Sequence, residues 1–78
     1  MPSEKRKPSG LLIETLACNV KKLRKEKCLS QEKLGELCDF HETFISLIER
    51  KQRNITLSTL ESIAKALNVD TYVLLIQH

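Results

Sequence analysis

The spacing of the apolar residues constrains the fold of this chain more than any other feature. The first segment with a regular spacing carries Ile13, Leu16, Ala17, Val20 and Leu23, which are the i, i+3, i+4 and i+7 positions of one helix face. Only two glycines and two prolines occur in 78 residues, and both prolines precede residue 10. Because a β fold needs turn residues throughout its length, this composition favours a small all-α domain.

Cap and turn residues divide the chain into five short helical segments. Ser30 and Thr56 are favourable N-caps, and Asn68 is a suitable left-handed residue for a helix end. We therefore predict a compact five-helix bundle. Its helices are expected at about residues 11–27, 31–38 and 41–50, then from Thr56 with the buried stripe Leu57, Leu60, Ile63, Ala64 and Leu67, and finally at about 71–76. For this last segment a strand is the alternative, because Thr71, Tyr72 and Val73 suit a strand equally well.

The second and third predicted helices have the dimensions of a helix-turn-helix, because a turn of three or four residues joins them. Gly35 lies inside the second helix, where glycine costs about 1 kcal/mol of helix propensity, so close packing against the partner helix is the expected compensation. Asp39 stands at the turn, where a residue with positive φ is wanted and Asp is tolerated. The middle of the chain thus predicts a helix-turn-helix.

Positive charge is concentrated in the first third of the chain. Residues 1–30 carry eight Lys or Arg against three Asp or Glu, residues 31–50 carry two against five, and residues 51–78 carry three against two. A basic first third suits a polyanion or an anionic membrane surface, although the net charge of +3 is small. Residues 1–10 lack apolar periodicity and contain Pro, Ser and Gly, so we predict a flexible basic arm there, followed by one domain over residues 11–78.

Cysteine and histidine usage argues against a metal site and against an enzyme. Cys18, Cys28 and Cys38 lie ten residues apart without a C-x-x-C pair, which predicts reduced thiols instead of disulfides or a zinc site. His41 and His78 have no carboxylate or nucleophile at a recognised spacing. We expect no catalytic residue, no metal and no cofactor. No signal peptide or membrane-length apolar run occurs, so we expect a soluble cytoplasmic protein that does not contact a membrane.

The segment LSQEKLGELCDFHETFISLIERKQRNITLSTLESIAKALNV, residues 29–69, resembles the Cro/C1 (Xre-type) helix-turn-helix family of bacterial and phage regulators. Within that family, H-E-T-F-I-S-L-I-E-R followed by R-N is most similar to the controller proteins of restriction-modification systems. The resemblance implies a lambda repressor-like domain that binds an operator in double-stranded DNA as a homodimer. Its third helix, about residues 41–50, would lie in the major groove.

The same resemblance assigns side chains to the bases of the operator. Many relatives carry Arg where this chain has Glu42, so a guanine-reading fork is missing, although Glu can accept a hydrogen bond from cytosine N4. For Phe44 simple core packing stays open as an alternative, and for His41 an ordinary position at the helix start. The expected base-reading residues are His41, Glu42, Thr43, Phe44, Ser46 and Leu47.

The resemblance also implies contacts with the DNA backbone and one structural ion pair. Arg24 would link the first helix to Glu49 of the third, and an exposed pair of low energy is the alternative. Cys28 and Asp39 stand where relatives usually carry glycine, which strains a left-handed helix end. The expected backbone contacts are Gln31, Arg50, Lys51, Arg53 and Asn54.

The apolar run at the end of the chain is the expected dimer interface. A helix of about seven residues cannot bury every face on its own domain, so part of residues 72–76 is left for a partner. By its family position Leu74 belongs to the core, and a frayed tail in a monomer is the alternative. The expected interface residues are Tyr72, Val73, Leu75 and Ile76.

Two other readings of the chain stay open. Antitoxins and phage-type repressors share much of the resemblance, and RNA polymerase is a candidate partner of a regulator. A helix-turn-helix used to bind a protein, such as a toxin or a polymerase subunit, is the alternative from another class. The negative charge of residues 31–50 favours that alternative, whereas the basic loop 51–54 and the lysines of the first helix favour DNA.

Overall fold

The computed structural model describes residues 10–77, which form four α-helices and a closing 3-10 helix without any strand. This confirms the predicted all-α class. The predicted arm, residues 1–10, lies outside the described residues except for Gly10. The elements are α1 (Leu11–Glu26), α2 (Gln31–Cys38), α3 (Glu42–Glu49), α4 (Leu57–Ala66) and the 3-10 helix Thr71–Leu75.

The predicted fifth α-helix is wrong, since residues 71–75 form a 3-10 helix. The Val73 N–H donates to the carbonyl of Asp70, three residues back, at 3.0 Å. Thr71 and Val73 are β-branched and therefore poor helix formers, and Ile76 already has extended backbone. The segment is too short to complete a second α-turn, so the tighter helix closes the domain.

Side-chain caps define where three of the helices begin. The Ser30 hydroxyl accepts from the Lys33 N–H at 2.9 Å at the start of α2. The Thr56 hydroxyl accepts from the Thr59 N–H at 3.1 Å at the start of α4, and His41 caps α3. The predicted N-caps of α2 and α4 are confirmed.

Each α-helix is followed by one non-glycine residue with left-handed backbone. After α1, for example, the Leu29 N–H donates to the Arg24 carbonyl at 3.0 Å while Cys28 has φ of 58°. This pattern of hydrogen bonds is the Schellman motif, which satisfies the last carbonyls of a helix. The predictions for Asp39 and Asn68 are confirmed. The four left-handed residues are Cys28, Asp39, Lys51 and Asn68.

Gly35 allows the two helices of the motif to approach each other closely. A Cβ at this position would overlap the carbonyl oxygen of Phe40, while the Phe40 N–H donates to the Gly35 carbonyl at 2.8 Å. The predicted close packing at Gly35 is confirmed. The contact of the Phe40 backbone with Gly35 therefore determines the angle between α2 and α3.

The core lies between the helix-turn-helix and the helices α1 and α4. Leu60, Ile63 and Ala64 of α4 are buried, as predicted, but Leu57 is 79% exposed. The prediction for Leu57 is wrong because this residue opens α4 ahead of the turn that enters the core. Among residues 10–77 no helix has the length and apolar character required to cross a membrane. The side chains that are fully buried are Val20, Leu34, Ile45, Ile48, Ile63, Leu67 and Leu74.

Candidate nucleic-acid interface

The first turn of α3 presents three exposed polar side chains, those of His41, Glu42 and Thr43. The Nδ1 atom of His41 accepts a hydrogen bond from the Thr43 N–H at 3.0 Å. A neutral imidazole with an accepting Nδ1 carries its proton on Nε2. His41 therefore caps the helix with one nitrogen and offers an exposed donor with the other.

The other three residues predicted to read bases are less accessible. Phe44, Ser46 and Leu47 are each half-buried. The Phe44 ring packs against Phe40, with ring centroids 4.8 Å apart, and the guanidinium carbon of Arg53 lies over it at 5.5 Å from the centroid. Phe44 therefore has contacts within the domain in addition to any contact with a partner.

The far end of α3 is attached to α1 by a buried ion pair. Arg24 Nε donates to Glu49 Oε2 at 2.7 Å and Arg24 Nη2 to Glu49 Oε1 at 3.0 Å, with the two side chains only 10% and 3% exposed. The third guanidinium nitrogen, Nη1, donates to the Leu29 carbonyl at 2.8 Å. The hydrogen bonds with Glu49 raise the pKa of Arg24 by more than burial lowers it. This two-bond geometry fixes the orientation of α3.

Gln31, predicted to contact a DNA phosphate, belongs to the same network. Its amide nitrogen donates to Glu49 Oε1 at 3.2 Å, and its side chain is half-buried at the start of α2. One amide hydrogen is therefore occupied within the protein, and the second remains. The network thus connects the end of α1, the start of α2 and the end of α3.

The loop after α3 exposes a group of cationic and polar side chains. Lys51 has φ of 64° and its ammonium group lies 3.8 Å from the Glu14 carboxylate, with both side chains more than half exposed. Such an exposed pair contributes about 0–1 kcal/mol and can be exchanged for a phosphate. The exposed residues of this loop that were predicted to contact the DNA backbone are Arg50, Lys51, Arg53 and Asn54.

The predicted dimer interface is divided between exposed and half-buried positions. Tyr72 is 62% exposed and Ile76 is 44% exposed, whereas Val73 and Leu75 are half-buried. Leu74 is fully buried, which confirms its predicted place in the core.

Asn19, a residue that the sequence analysis did not select, anchors this segment to α1. Its Nδ2 atom lies 3.0 Å from the Leu74 carbonyl and 2.8 Å from the Ile76 carbonyl, and it donates to both. Asn19 is only 4% exposed. A polar amide between the apolar positions 16, 17 and 20 of one helix was the signal that could have identified it.

The cysteines differ in exposure. Cys18 and Cys28 are exposed, and Cys38 is buried with its thiol donating to the Leu34 carbonyl at 3.1 Å. Burial raises the pKa of the Cys38 thiol, so this side chain behaves as a small apolar residue. Within the described part of the chain, no three His, Cys, Asp or Glu side chains are grouped to hold a metal ion.

Comparison with known proteins identifies relatives along most of this chain. The control protein C.SmaI of Serratia marcescens is 52% identical over 62 residues, which are 80% of this chain and 74% of that protein. The crystal structure of the hypothetical transcription factor NHTF from Neisseria superposes with a TM-score of 0.82 at 39% identity, covering 97% of this chain and 86% of that one.

A further solved structure contains DNA. It is the tetramer of the restriction-modification controller protein C.Esp1396I in complex with its natural 35 base-pair operator. The TM-score is 0.78 at 38% identity, and the match covers 85% of this chain and 87% of that one. The family described as Helix-turn-helix, HTH_3, matches residues 20–74, so this chain belongs to that Cro/C1-type helix-turn-helix family.

Proposed function

We propose that this chain is a sequence-specific transcriptional regulator, a controller protein of a restriction-modification system, that reads its operator with the first turn of α3. The observation that carries this proposal is the exposed polar first turn of α3, on a helix whose other end is fixed by the buried Arg24–Glu49 pair. Its relatives include C.SmaI and C.Esp1396I, which are controller proteins by name.

The dimensions and chemistry of α3 suit the major groove. An α-helix with its side chains is about 10–12 Å across, and the major groove is about 12 Å wide. The His41 Nε2–H would donate to an acceptor on a base edge or phosphate, while the Thr43 hydroxyl can donate or accept. Glu42 accepts only and would favour cytosine N4. Ser46 and Leu47, one turn further on, would meet the groove at its edge.

The loop after α3 supplies the proposed contacts with the DNA backbone. Arg50, Lys51, Arg53 and Asn54 are exposed, and their donors match phosphate oxygens. Gln31 would add its second amide hydrogen at the positive end of α2. These contacts position the protein on the duplex without selecting a base sequence.

The charges of residues 31–50 support DNA over a protein partner once their pairing is considered. Glu49 is buried and bonded to Arg24, and the Glu36 carboxylate lies 3.7 Å from the Lys33 ammonium. Two of the five acidic residues in this segment are thus balanced within the domain. The exposed carboxylate on the first turn of α3 is that of Glu42, which is expected to accept from cytosine N4 and to be repelled by phosphates.

We further propose a homodimer with a two-fold symmetric operator, in the cytoplasm where its DNA target lies. A single domain of this size covers too little DNA for high specificity, and two half-sites about 10 bp apart would double the sequence read. The candidate seam is formed by Tyr72, Val73, Leu75 and Ile76, of which Tyr72 and Ile76 are the most exposed. RNA polymerase remains a candidate partner, and we propose no enzymatic activity.

Selection of bound sites from random duplex DNA tests this proposal. We expect an enriched motif with two related half-sites about 10 bp apart. An operator upstream of restriction or modification genes in the source genome would support the controller role, and one within a toxin or prophage locus would favour the antitoxin or phage-repressor alternative. Absence of any enriched motif at moderate salt would refute the sequence-specific function.

A further inference from the structure

Two of the three aromatic side chains in this chain meet at the helix-turn-helix. The ring of Phe40, in the turn, lies against the ring of Phe44, in the first turn of α3, with centroids 4.8 Å apart and an angle of 38° between the planes. Both residues also pack against the core, although neither is fully buried. The Phe44 ring is therefore supported by Phe40 on one side and partly exposed elsewhere.

The partly exposed side of Phe44 is covered by Arg53. The guanidinium carbon of Arg53 lies over the ring at 5.5 Å from its centroid, a distance at which a cation is attracted to the ring face. Among residues 10–77 the Arg53 side chain makes no ion pair and no hydrogen bond. The Phe44 ring is thus the contact within the described domain that restrains this guanidinium.

A ring contact restrains an arginine without using its hydrogen-bond donors. The five N–H groups of a guanidinium lie in its plane, so they remain available to a phosphate or a base edge while the ring holds the group. A free arginine side chain samples many rotamers, and part of that rotamer entropy is lost on binding. Restraint before binding lowers that loss and so strengthens the contact.

We propose that Phe44 is a positioning residue, whose ring, braced by Phe40, holds the Arg53 guanidinium beside the first turn of α3 for its contact with DNA. This inference rests on the proposed DNA-binding function. It differs from the expectation that Phe44 itself touches a base, because Phe44 then acts on DNA only through Arg53. The recognition helix and the loop after it would bind the duplex as one preassembled unit.

A double-mutant cycle on the selected duplex separates the two roles. We expect Phe44→Leu to weaken binding by about 2- to 5-fold, because the Arg53 side chain is then ordered only on binding and the affinity falls by that ordering cost. In the Arg53→Ala background the same change should leave Kd unaltered, because the group it positions is gone. If the two losses multiply in the double mutant, Phe44 contacts DNA independently and the positioning role is refuted.

Arg50→Ala is the matched control, since it removes the same charge from an exposed arginine that has no ring contact among residues 10–77. Phe44→Leu should retain its full effect in that background, and loss of the effect there would contradict specific coupling to Arg53. Phe44→Tyr keeps the ring, so Arg53→Ala should cost as much in that background as in the wild type. A smaller affinity loss from Arg53→Ala in the Phe44→Tyr background would contradict the positioning role of the ring.

A measurement on the free wild-type protein keeps the test valid if Phe44→Leu does not fold. The ring current of Phe44 should shift the side-chain proton resonances of Arg53 away from those of Arg50, and Arg53 resonances at ordinary arginine positions would overturn the contact. The two proposals fail in different ways. If the wild-type protein binds no duplex, the proposed function is refuted. If the wild-type protein binds, but the affinity losses of Phe44→Leu and Arg53→Ala multiply in the double mutant, only the role of Phe44 is refuted.

Discussion

Glu49→Ala should destabilise this domain strongly because Glu49 accepts three hydrogen bonds in a buried position. Two come from Arg24, at 2.7 and 3.0 Å, and one comes from Gln31 at 3.2 Å. Their removal leaves the Arg24 guanidinium buried with only the Leu29 carbonyl as acceptor. Breaking a buried pair by removing one partner costs about 3–5 kcal/mol. A domain of this size has a free energy of unfolding of about 4–12 kcal/mol, so the loss is a large fraction of the total.

Thermal unfolding followed by far-ultraviolet circular dichroism measures this loss. In a domain of this length 1 kcal/mol corresponds to about 4–8 °C, so a loss of about 3 kcal/mol predicts a Tm at least about 12 °C lower. Because the pKa of Arg24 is raised above its ordinary value, the guanidinium keeps its charge, and its share of the stability, at every pH below that value. The experiment therefore needs no adjustment for Arg24 titration.

Glu36→Ala is the matched control, since it removes an exposed carboxylate. The Glu36 side chain is 62% exposed, and its carboxylate lies 3.7 Å from the Lys33 ammonium. That change should alter the free energy of unfolding by no more than about 0.5 kcal/mol. The double variant Arg24→Met with Glu49→Leu should recover most of the stability, because apolar replacement of both partners is often neutral. A Glu49→Ala loss as small as that of Glu36→Ala would refute the buried-pair reasoning.

Four further predictions concern helix ends, packing and assembly. Cys28→Gly should raise the free energy of unfolding by about 1–2 kcal/mol, the cost of a non-glycine residue in left-handed backbone, and an unchanged Tm would contradict that strain. Gly35→Ala should cost at least about 1–3 kcal/mol by overpacking, and wild-type stability would refute the close approach. In the folded protein the exposed thiols should react with a disulfide reagent at once and Cys38 only at the rate of unfolding, since burial raises its pKa; fast reaction of all three would contradict the burial. Ile76→Glu should convert the proposed dimer to a monomer in sedimentation, while Leu57→Glu, at an exposed position outside the proposed interface, should not. A dimer in both variants would place the interface elsewhere.

Helix positions could be predicted from the sequence where a short-range cause determines them. Ser30 and Thr56 begin helices because their hydroxyls accept hydrogen bonds from N–H groups three residues later, which is a local effect. Asp39 and Asn68 end helices because their side chains tolerate left-handed backbone. The 3-10 geometry of residues 71–75 was missed, since Tyr72 to Ile76 offers an apolar run that is compatible with several backbone forms.

Tertiary contacts were harder to predict because they depend on distant residues. The burial of the Arg24–Glu49 pair could not be deduced from its spacing of 25 residues, and only the resemblance indicated the pairing. Leu57 has the spacing expected of a core residue of α4, yet it is exposed. It is the first residue of α4 and lies ahead of the turn that enters the core. Asn19 was overlooked because its acceptors lie more than 50 residues away.

The first turn of α3 is proposed to read the bases and the following loop to contact the phosphates. The salt dependence of Kd tests this assignment most directly. Binding of Thr43→Ala and Lys51→Ala proteins would be measured on the selected duplex and on a scrambled duplex over a range of salt. Thr43→Ala should reduce the difference in binding free energy between the two duplexes by about 1–3 kcal/mol, and so lower the affinity ratio, without changing the slope of log K against log salt. Lys51→Ala should lower that slope by about one unit and leave the ratio unchanged. If both variants change only the slope, or neither changes the ratio, the first turn of α3 does not read the bases.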